Sequence, residues 1–377
     1  MKKLPLGLQN FRKIIEGDYV YVDKTHYVYD IINNESYYFL SRPRRFGKSL
    51  FLDTVSEAFS GDKEVFKGLY IYNTDYTFDK HPVIRLDMCK IANKTPELLE
   101  RSLAEELQKR ILSEGFSIAS KIPSGIFIGL IEALYEKYQQ RVVVLIDEYD
   151  KPILDHLTNI ETAEANRQVL RGFYGILKSM DPYLRLTFIT GVSKFTKTSI
   201  FSELNNLLDI TLTEEYANIC GIAVADLSKY FSEHIDNLAT LNNFKNYKNL
   251  HNEILSWYDG YSWDGCTRVI NPFSLLTFFI QKRFASFWYA SGTPKFIIDL
   301  IKKDPEVYIN LKGMAMTELM LDFADFSALE VEPLLFQSGY LTVKEIIFKP
   351  GAADYVLGLP NFEVNEAINL IFGQGRN

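Results

Sequence analysis

The chain has 377 residues, enough for two or three domains at roughly 100 to 200 residues each, which excludes a small disulfide-stapled scaffold. Apolar residues make up 47% of it and charged residues 24%, as in an ordinary folded protein. The formal net charge of -7 argues against a surface that attracts nucleic acid or anionic lipid over its whole area, so any anion site must be local.

Cysteines, histidines and apolar segments exclude further classes of protein. Cys89, Cys220 and Cys266 are far apart and odd in number, so they predict neither a disulfide framework nor a four-cysteine zinc site. The five histidines lack the paired spacing of a catalytic zinc site. The N-terminus lacks the apolar stretch of a secretion signal, and charged residues interrupt the longest apolar region, 272–290. We therefore expect a cytoplasmic protein without a membrane partner.

The first half of the chain alternates short β-rich runs with longer segments of helical period. This order predicts an α/β fold with a mainly parallel sheet covered by helices. Four of the runs are continuously apolar, as expected for strands that are buried on both faces. The predicted strands are 37–41, 82–87, 141–147 and 184–190, with a weaker one at 208–212. Helices are predicted at 50–59, 99–111, 127–138 and 169–180.

The first predicted strand is followed by Arg42-Pro-Arg-Arg-Phe-Gly-Lys-Ser49 and then by an amphipathic helix. This is the context of a P-loop, in which backbone N–H groups and the helix dipole face a phosphate cluster. Gly47 would allow close approach of the phosphates, Lys48 would reach the β and γ phosphates, and the Ser49 hydroxyl would coordinate Mg²⁺. One departure is that Arg42 replaces the first glycine of the common motif.

Three arginines, Arg42, Arg44 and Arg45, crowd this loop beside Lys48 without a nearby carboxylate in the sequence. Such a density of positive charge favours an anion as ligand. The alternative is a basic loop solvated at the surface, in which the glycine serves only the backbone.

A second motif comes at the end of the third predicted strand. The apolar run 142–146 delivers Asp147 and Glu148 at its carboxyl end, the edge where open α/β sheets bind ligands. Asp147 would share the Mg²⁺ with Ser49, and Glu148 would accept a proton from the attacking water. A solvated acidic turn is the alternative, but the two motifs in this order favour a nucleoside triphosphate site.

The fourth predicted strand ends at Thr190 and continues to Ser193. Either hydroxyl would be placed to sense the γ-phosphate or the attacking water. The two side chains would equally well cap the following segment.

The alternation of strands and helices stops near residue 215. We therefore expect a P-loop domain with an N-terminal extension in 1–215 and a mostly helical region in 216–377. From residue 327 onward the pattern is a helix, a turn and a hairpin, 340–348 and 355–359, which is typical of a winged-helix-like unit.

Several strings together resemble the bacterial AAA-ATPase-like family, and the similarity extends over nearly the whole chain. They are Leu4-Pro-Leu-Gly-Leu-Gln-Asn-Phe11, Tyr21-Val-Asp-Lys-Thr25, Phe39-Leu-Ser-Arg-Pro-Arg-Arg-Phe-Gly-Lys-Ser-Leu50 and Asp147-Glu-Tyr-Asp-Lys-Pro152, with 189–195, 205–207 and 336–342. The resemblance implies a P-loop NTPase whose fourth strand lies between the first and the third. It also makes an arginine at the start of the loop a family trait.

The resemblance implies ATP and Mg²⁺ as ligands. The implied nucleotide-binding residues are Arg42, Phe46, Gly47, Lys48, Ser49, Leu50 and Ser193, the implied metal ligands are Ser49 and Asp147, and the implied catalytic residues are Glu148, Arg44 and Arg45. The two arginines would supply charge in the transition state or bind phosphate in the ground state. The family usually carries a C-terminal nuclease-like domain of the PD-(D/E)XK type. No such arrangement follows residue 360, so the chain is either a shortened relative or a truncated one, and nuclease activity is not carried over from the resemblance.

The expected function is ATP binding with Mg²⁺-dependent hydrolysis that drives a conformational switch. One alternative is a nucleotide-gated module that recruits a protein partner without hydrolysis. Another is DNA binding through the winged-helix-like tail, although basic residues are sparse there. The N-terminal segment around 19–25 would cover the base, and no visible motif distinguishes adenine from guanine.

Overall fold

The computed structural model describes residues 1–34, 37–194, 200–201, 204, 206–245, 249–288, 313–321 and 331–373. Its centre is a five-stranded parallel sheet with the order β2-β3-β4-β1-β5. The strands are β1 Tyr37–Ser41, β2 Val83–Asp87, β3 Val142–Asp147, β4 Leu184–Gly191 and β5 Leu207–Asp209. The expectation that the fourth strand lies between the first and third is confirmed. Parts of the resembling stretches 189–195 and 205–207, and the start of the helix predicted from 327, lie outside the described residues.

Helices cover both faces of this sheet. Along β3, Val143 and Leu145 belong to one hydrophobic cluster, whereas Val144 and Ile146 belong to the other. The helices of this region are α1 Phe11–Glu16, α2 Thr25–Asn33, α3 Lys48–Ala58, α4 Pro96–Glu114, α5 Pro123–Tyr138, α6 Lys151–Leu154 and α7 Ile160–Ser179. The predicted α/β architecture is therefore confirmed.

The strand β2 differs from the expected burial on both faces. Its burial alternates, with Ile84 and Leu86 buried and Arg85 half-buried. The reason is its position at the edge of the sheet, since β3 alone among the described strands pairs with it. The half-buried Arg85 side chain donates to the Ser49 carbonyl at 3.1 Å and pairs with Asp53 on α3.

The rest of the chain is mostly helical. Its helices are α8 Val224–Ala239, α9 Leu250–Tyr258, α10 Pro272–Gln281, α11 Glu318–Leu321, α12 Val331–Ser338 and α13 Phe362–Gly373. Its strands are the pair β6 Ile222–Ala223 and β7 Val269–Ile270, and the antiparallel set β8 Met314–Thr317, β9 Thr342–Lys349 and β10 Ala352–Gly358. The predicted hairpin is thus confirmed, whereas the winged-helix-like assembly and the boundary near 215 remain predictions. No helix among the described residues has the length and apolar character needed to cross a membrane.

Glu363 joins three parts of this helical region. Its side chain is fully buried at the start of α13, and one carboxylate oxygen accepts from Ser274 Oγ on α10 at 3.0 Å. The same oxygen accepts from the backbone N–H groups of Phe287 at 2.7 Å and Trp288 at 2.9 Å. Burial raises the pKa of the Glu363 carboxyl from 4.5 to about 7, and the three hydrogen bonds oppose that rise only in part.

This raised pKa predicts that the free energy of unfolding depends on pH. Between about pH 4.5 and 7 the folded chain keeps a proton on Glu363 that the unfolded chain has lost, so this group's contribution to the free energy of unfolding falls as pH rises. Glu363→Gln keeps an acceptor but has no charge to bury. We expect the variant to gain stability relative to the wild type, by up to about 3 kcal/mol, from pH 5 to 7.5 in urea unfolding. A difference that does not change with pH would contradict this.

Candidate nucleotide-binding site

The loop between β1 and α3 has the backbone conformation of an anion-binding turn. Gly47 precedes α3 with a φ of +99°, and Arg45 also lies in the left-handed region at +71°. A Cβ built on Gly47 would meet no protein atom within 4 Å, so the backbone angle is what requires glycine in the protein alone. No side chain of the described residues caps the N-terminus of α3. Its first N–H groups therefore remain available to an anion.

Lys48 is buried at the start of α3. Its ammonium group donates to the backbone carbonyls of Arg42 at 2.8 Å and Pro43 at 3.0 Å. The side chain thus folds back over its own loop, and its positive charge is met there by carbonyl dipoles.

The acidic end of β3 lies beside the same loop. Asp147 is almost fully buried and accepts from Thr190 Oγ1 on β4 at 2.7 Å. Glu148 follows with a φ of +52°, and one of its carboxylate oxygens accepts from Cys89 Sγ at 2.8 Å. Although Cys89 is an exposed residue, partial desolvation of its thiol and then the bond to Glu148 raise the pKa of that thiol, which keeps it protonated as a donor.

One cavity of about 480 Å³ joins the two motifs, since Gly47, Lys48, Ser49 and Glu148 all line it. Its volume lies within the roughly 300–1,000 Å³ of small-molecule sites. Among the described residues that line it, Glu148 supplies one carboxylate and five residues are cationic: Lys24, Arg44, Arg45, Lys48 and Lys151. Another part of the wall is apolar and is formed by Val20, Val22, Ile222, Phe231 and Leu276. The cavity therefore suits a molecule with both phosphate groups and a flat apolar ring.

Two of these cations already have partners. Lys24 Nζ donates to Asn218 Oδ1 at 2.8 Å and to Asp226 at 3.2 Å, and burial lowers its pKa. Lys151 pairs with Asp155 at 2.8 Å.

Within the part of the chain that the structure describes, the remaining cations have no carboxylate partner. The Arg44 side chain makes no hydrogen bond or ion pair with the described residues. The Arg45 guanidinium lies 4.3 Å from the centre of the Phe273 ring. With Lys48, these arginines are the groups best placed to meet an anion.

Arg42 does not face this cavity, which corrects the expectation that it contacts the nucleotide. Its fully buried guanidinium donates to the carbonyls of Ser41 at 2.9 Å, Thr211 at 2.7 Å and Tyr216 at 3.2 Å. It also lies 4.0 Å from the centre of the Trp263 ring. Burial lowers the pKa of Arg42 to about 10. The role of this arginine is to join β1 to the chain after β5.

Ser193 is likewise held away from the cavity. Its N–H and hydroxyl both donate to one oxygen of the buried Asp150 at 2.6 Å. This geometry favours a structural role for Ser193 over contact with a γ-phosphate, because its hydroxyl hydrogen already has an acceptor. Phe46 and Leu50 line the cavity, and their contact with a nucleotide stays a prediction.

Cys89, Lys24 and Lys151 line the cavity but were missed as site residues. A signal for Cys89 was present, because it lies just beyond β2, whose Asp87 is in register with Asp147 of β3. The position of Cys89 near Glu148 can be inferred only once the strand order, with β2 beside β3, is known.

The family model described as Predicted AAA-ATPase matches residues 5–201, which is more than half of the chain. The chain belongs to the AAA-ATPase-like family. A relative from Azotobacter chroococcum mcd 1, an uncharacterized protein in the vnfD 5′ region, is 38% identical over 369 residues, covering 98% of this chain and 69% of its own length.

Two solved structures are also similar to this AAA-ATPase-like chain. The ORC2 protein of Aeropyrum pernix, in ADPNP–ADP complexes, has a TM-score of 0.36 at 10% identity and covers 96% of this chain and 98% of its own. Drosophila ORC bound to AT-rich DNA and Cdc6 has a TM-score of 0.27 at 10% identity and covers 97% of this chain and 94% of its own.

The two neighbouring arginines, Arg42 and Arg44, should behave differently on mutation. Arg42→Ala leaves buried carbonyls without donors and should lower the free energy of unfolding by about 2–4 kcal/mol. Arg44→Ala, the matched control, should change it by less than about 0.5 kcal/mol. Urea unfolding measures both, and equal effects of the two substitutions would refute the different roles.

Proposed function

We propose that this protein binds Mg²⁺-ATP in the cavity between the loop 42–49 and the end of β3, and hydrolyses it. The observation that carries the proposal is that Lys48 and Glu148, far apart in sequence, line the same cavity. The parallel neighbours β1, β4 and β3 account for this, because their carboxyl ends meet at one edge of the sheet.

The triphosphate would lie at the N-terminus of α3. There the free N–H groups, the helix dipole and Lys48 favour negative charge. The ammonium group would exchange the carbonyls of Arg42 and Pro43 for phosphate oxygens. The base would occupy the apolar part of the cavity, between the N-terminal Val20 and Val22 and Phe231 of α8. This arrangement retains the predicted role of the N-terminal segment as a cover for the base.

Ser49 lines the cavity, and Asp147, which is not among the described lining residues, directly precedes Glu148, which is; both side chains offer the oxygen ligands that suit Mg²⁺. The Ser49 hydroxyl has no hydrogen-bond partner among the described residues, and Asp147 has one carboxylate oxygen not engaged by Thr190. Hard oxygen ligands of this kind, completed by phosphate and water, are what Mg²⁺ prefers. Among the described residues no cluster of three or more His, Cys, Asp or Glu would hold a metal without the nucleotide. When bound, the ion neutralises charge on the β and γ phosphates.

Glu148 is the proposed general base, accepting a proton from the attacking water. A second candidate function, a nucleotide-gated module with little turnover, gains support from the Cys89 thiol. That thiol donates to the Glu148 carboxylate and so competes for the lone pairs that would accept the proton. Hydrolysis would then depend on release of this bond, by nucleotide or by a partner that changes the conformation.

Substitution of Lys48 and Glu148 separates binding from hydrolysis. Lys48→Ala should weaken Mg²⁺-ATP binding by at least about tenfold, since each lost 1.4 kcal/mol is a factor of ten. Glu148→Gln should keep the affinity and lower phosphate release by about a hundredfold or more. Lys109→Ala, on the exposed face of α4, is the control and should leave both unchanged.

Calorimetric titration with ATP and GTP, and a phosphate-release assay, measure these outcomes. Equal affinities of the wild type and Lys48→Ala would overturn the site. Tight, Lys48-dependent binding without phosphate release in the wild type would favour the module over the enzyme.

Cys89 tests whether the thiol restrains Glu148. Cys89→Ala should raise steady-state phosphate release several-fold without changing ATP affinity, because the carboxylate loses a competing donor. Cys89→Ser, which keeps a donor, should stay close to the wild type. Phosphate release by Cys89→Ala at or below the wild-type rate would contradict a restraining role.

A further inference from the structure

Every residue from 42 to 46 contacts the mostly helical region that follows the sheet. Arg42 lies over Trp263, Pro43 packs against Gly339, the Arg44 carbonyl accepts from Trp288, Arg45 lies over Phe273, and Phe46 makes edge contacts with Tyr261 and Trp263. The unusual composition of the loop therefore has a second explanation besides phosphate binding. The segment 42–46 is the surface through which the helical region contacts the proposed nucleotide site.

The contact at Gly339 is very close. This residue has a φ of +91°, and a Cβ built on it would lie 2.9 Å from Pro43 Cβ and 3.3 Å from Trp288 Cζ2. Such distances leave no room for a side chain, so the turn after α12, the loop and Trp288 pack as one unit.

Trp288 is held on several sides and is fully buried. Its backbone N–H donates to Glu363, and its ring meets Tyr340 edge-on with centroids 5.1 Å apart. Its indole N–H donates to the Arg44 carbonyl at 3.4 Å. A buried indole N–H needs an acceptor, and here that acceptor belongs to the phosphate-binding loop.

We propose that Trp288 is a positioning residue for this loop. Because a trans peptide is planar, a carbonyl of Arg44 held toward Trp288 makes the N–H of Arg45 point the opposite way. The indole thus fixes the orientation of one of the peptide groups that border the cavity. The inference rests on the proposed function, since it assigns Trp288 an effect on nucleotide affinity.

The hydrogen bond from the Trp288 indole to the Arg44 carbonyl is long. At 3.4 Å it lies beyond the usual 2.7–3.2 Å range for N–H···O bonds. A triphosphate that draws the loop toward α3 would therefore change the surroundings of Trp288. Through Glu363, the same movement would reach α10 and α13.

Trp288→Phe tests the hydrogen bond while keeping most of the ring packing. We expect ATP affinity to fall about five- to tenfold, with the thermal midpoint of unfolding much less affected than by Trp288→Ala. Trp257→Phe is the matched control. Trp257 belongs to the same region, packs against Phe284 and Phe362, and should tolerate the change with wild-type affinity.

A spectroscopic measurement distinguishes positioning from a purely structural role. The chain has three tryptophans, so 5-fluorotryptophan labelling should give three ¹⁹F resonances, each assigned by its loss in a Trp→Phe variant. Mg²⁺-ATP should shift the Trp288 resonance, leave that of Trp257 in place, and shift neither in Lys48→Ala. Should Trp288→Phe fail to fold, the variants at Trp257 and Trp263 assign the Trp288 resonance by elimination.

The outcomes separate this inference from the proposed function. Failure of the wild type to bind Mg²⁺-ATP in a Lys48-dependent way would remove the proposed function. Lys48-dependent binding together with an unshifted Trp288 resonance would overturn only the role of Trp288. Unchanged affinity in a folded Trp288→Phe would do the same.

Discussion

The parallel pairing of β4 with both β1 and β3 is the constraint on which the site depends. It places the loop after β1 and the carboxylates after β3 at one edge of the sheet. Thr190, at the end of β4, then bonds directly to Asp147. A strand order that placed β1 and β3 at opposite ends of the sheet would separate the same two motifs. The strand order therefore brings the two motifs together, and the individual side chains then determine the chemistry of the site.

Three cationic side chains of the loop are contacted by backbone carbonyls, by aromatic rings or by both. The Arg42 guanidinium is held by backbone carbonyls and an aromatic ring in the interior, where removing it would leave several acceptors buried without donors. Lys48 is met by the carbonyls of its own loop, and Arg45 lies over Phe273. Carbonyl dipoles and ring faces hold a cation in place but do not cancel its charge. The cavity thus keeps a positive field in a chain whose formal net charge is -7.

Much of the fold was predictable because the signals are local. The apolar runs located the strands to within a residue or two at most ends, and the strand, loop and helix order around Lys48 located the loop that leads into α3. The burial of Arg42 was not predictable, because an arginine beside a P-loop lysine looks the same in sequence whether it faces solvent, ligand or core. Cys89 and Trp288 are tertiary neighbours of the site, brought there by strand order and by packing far along the chain. Ser193 remained open until its bond to Asp150 was known.

The most direct test of a shared triphosphate site is a crystal structure with Mg²⁺ and a non-hydrolysable ATP analogue. In that structure we expect Lys48 Nζ to leave the carbonyls of Arg42 and Pro43 for phosphate oxygens. We also expect Ser49 and Asp147 to hold the metal, with the base against Val20 and Phe231. A triphosphate bound elsewhere on the molecule, with Lys48 still on its loop carbonyls, would contradict it.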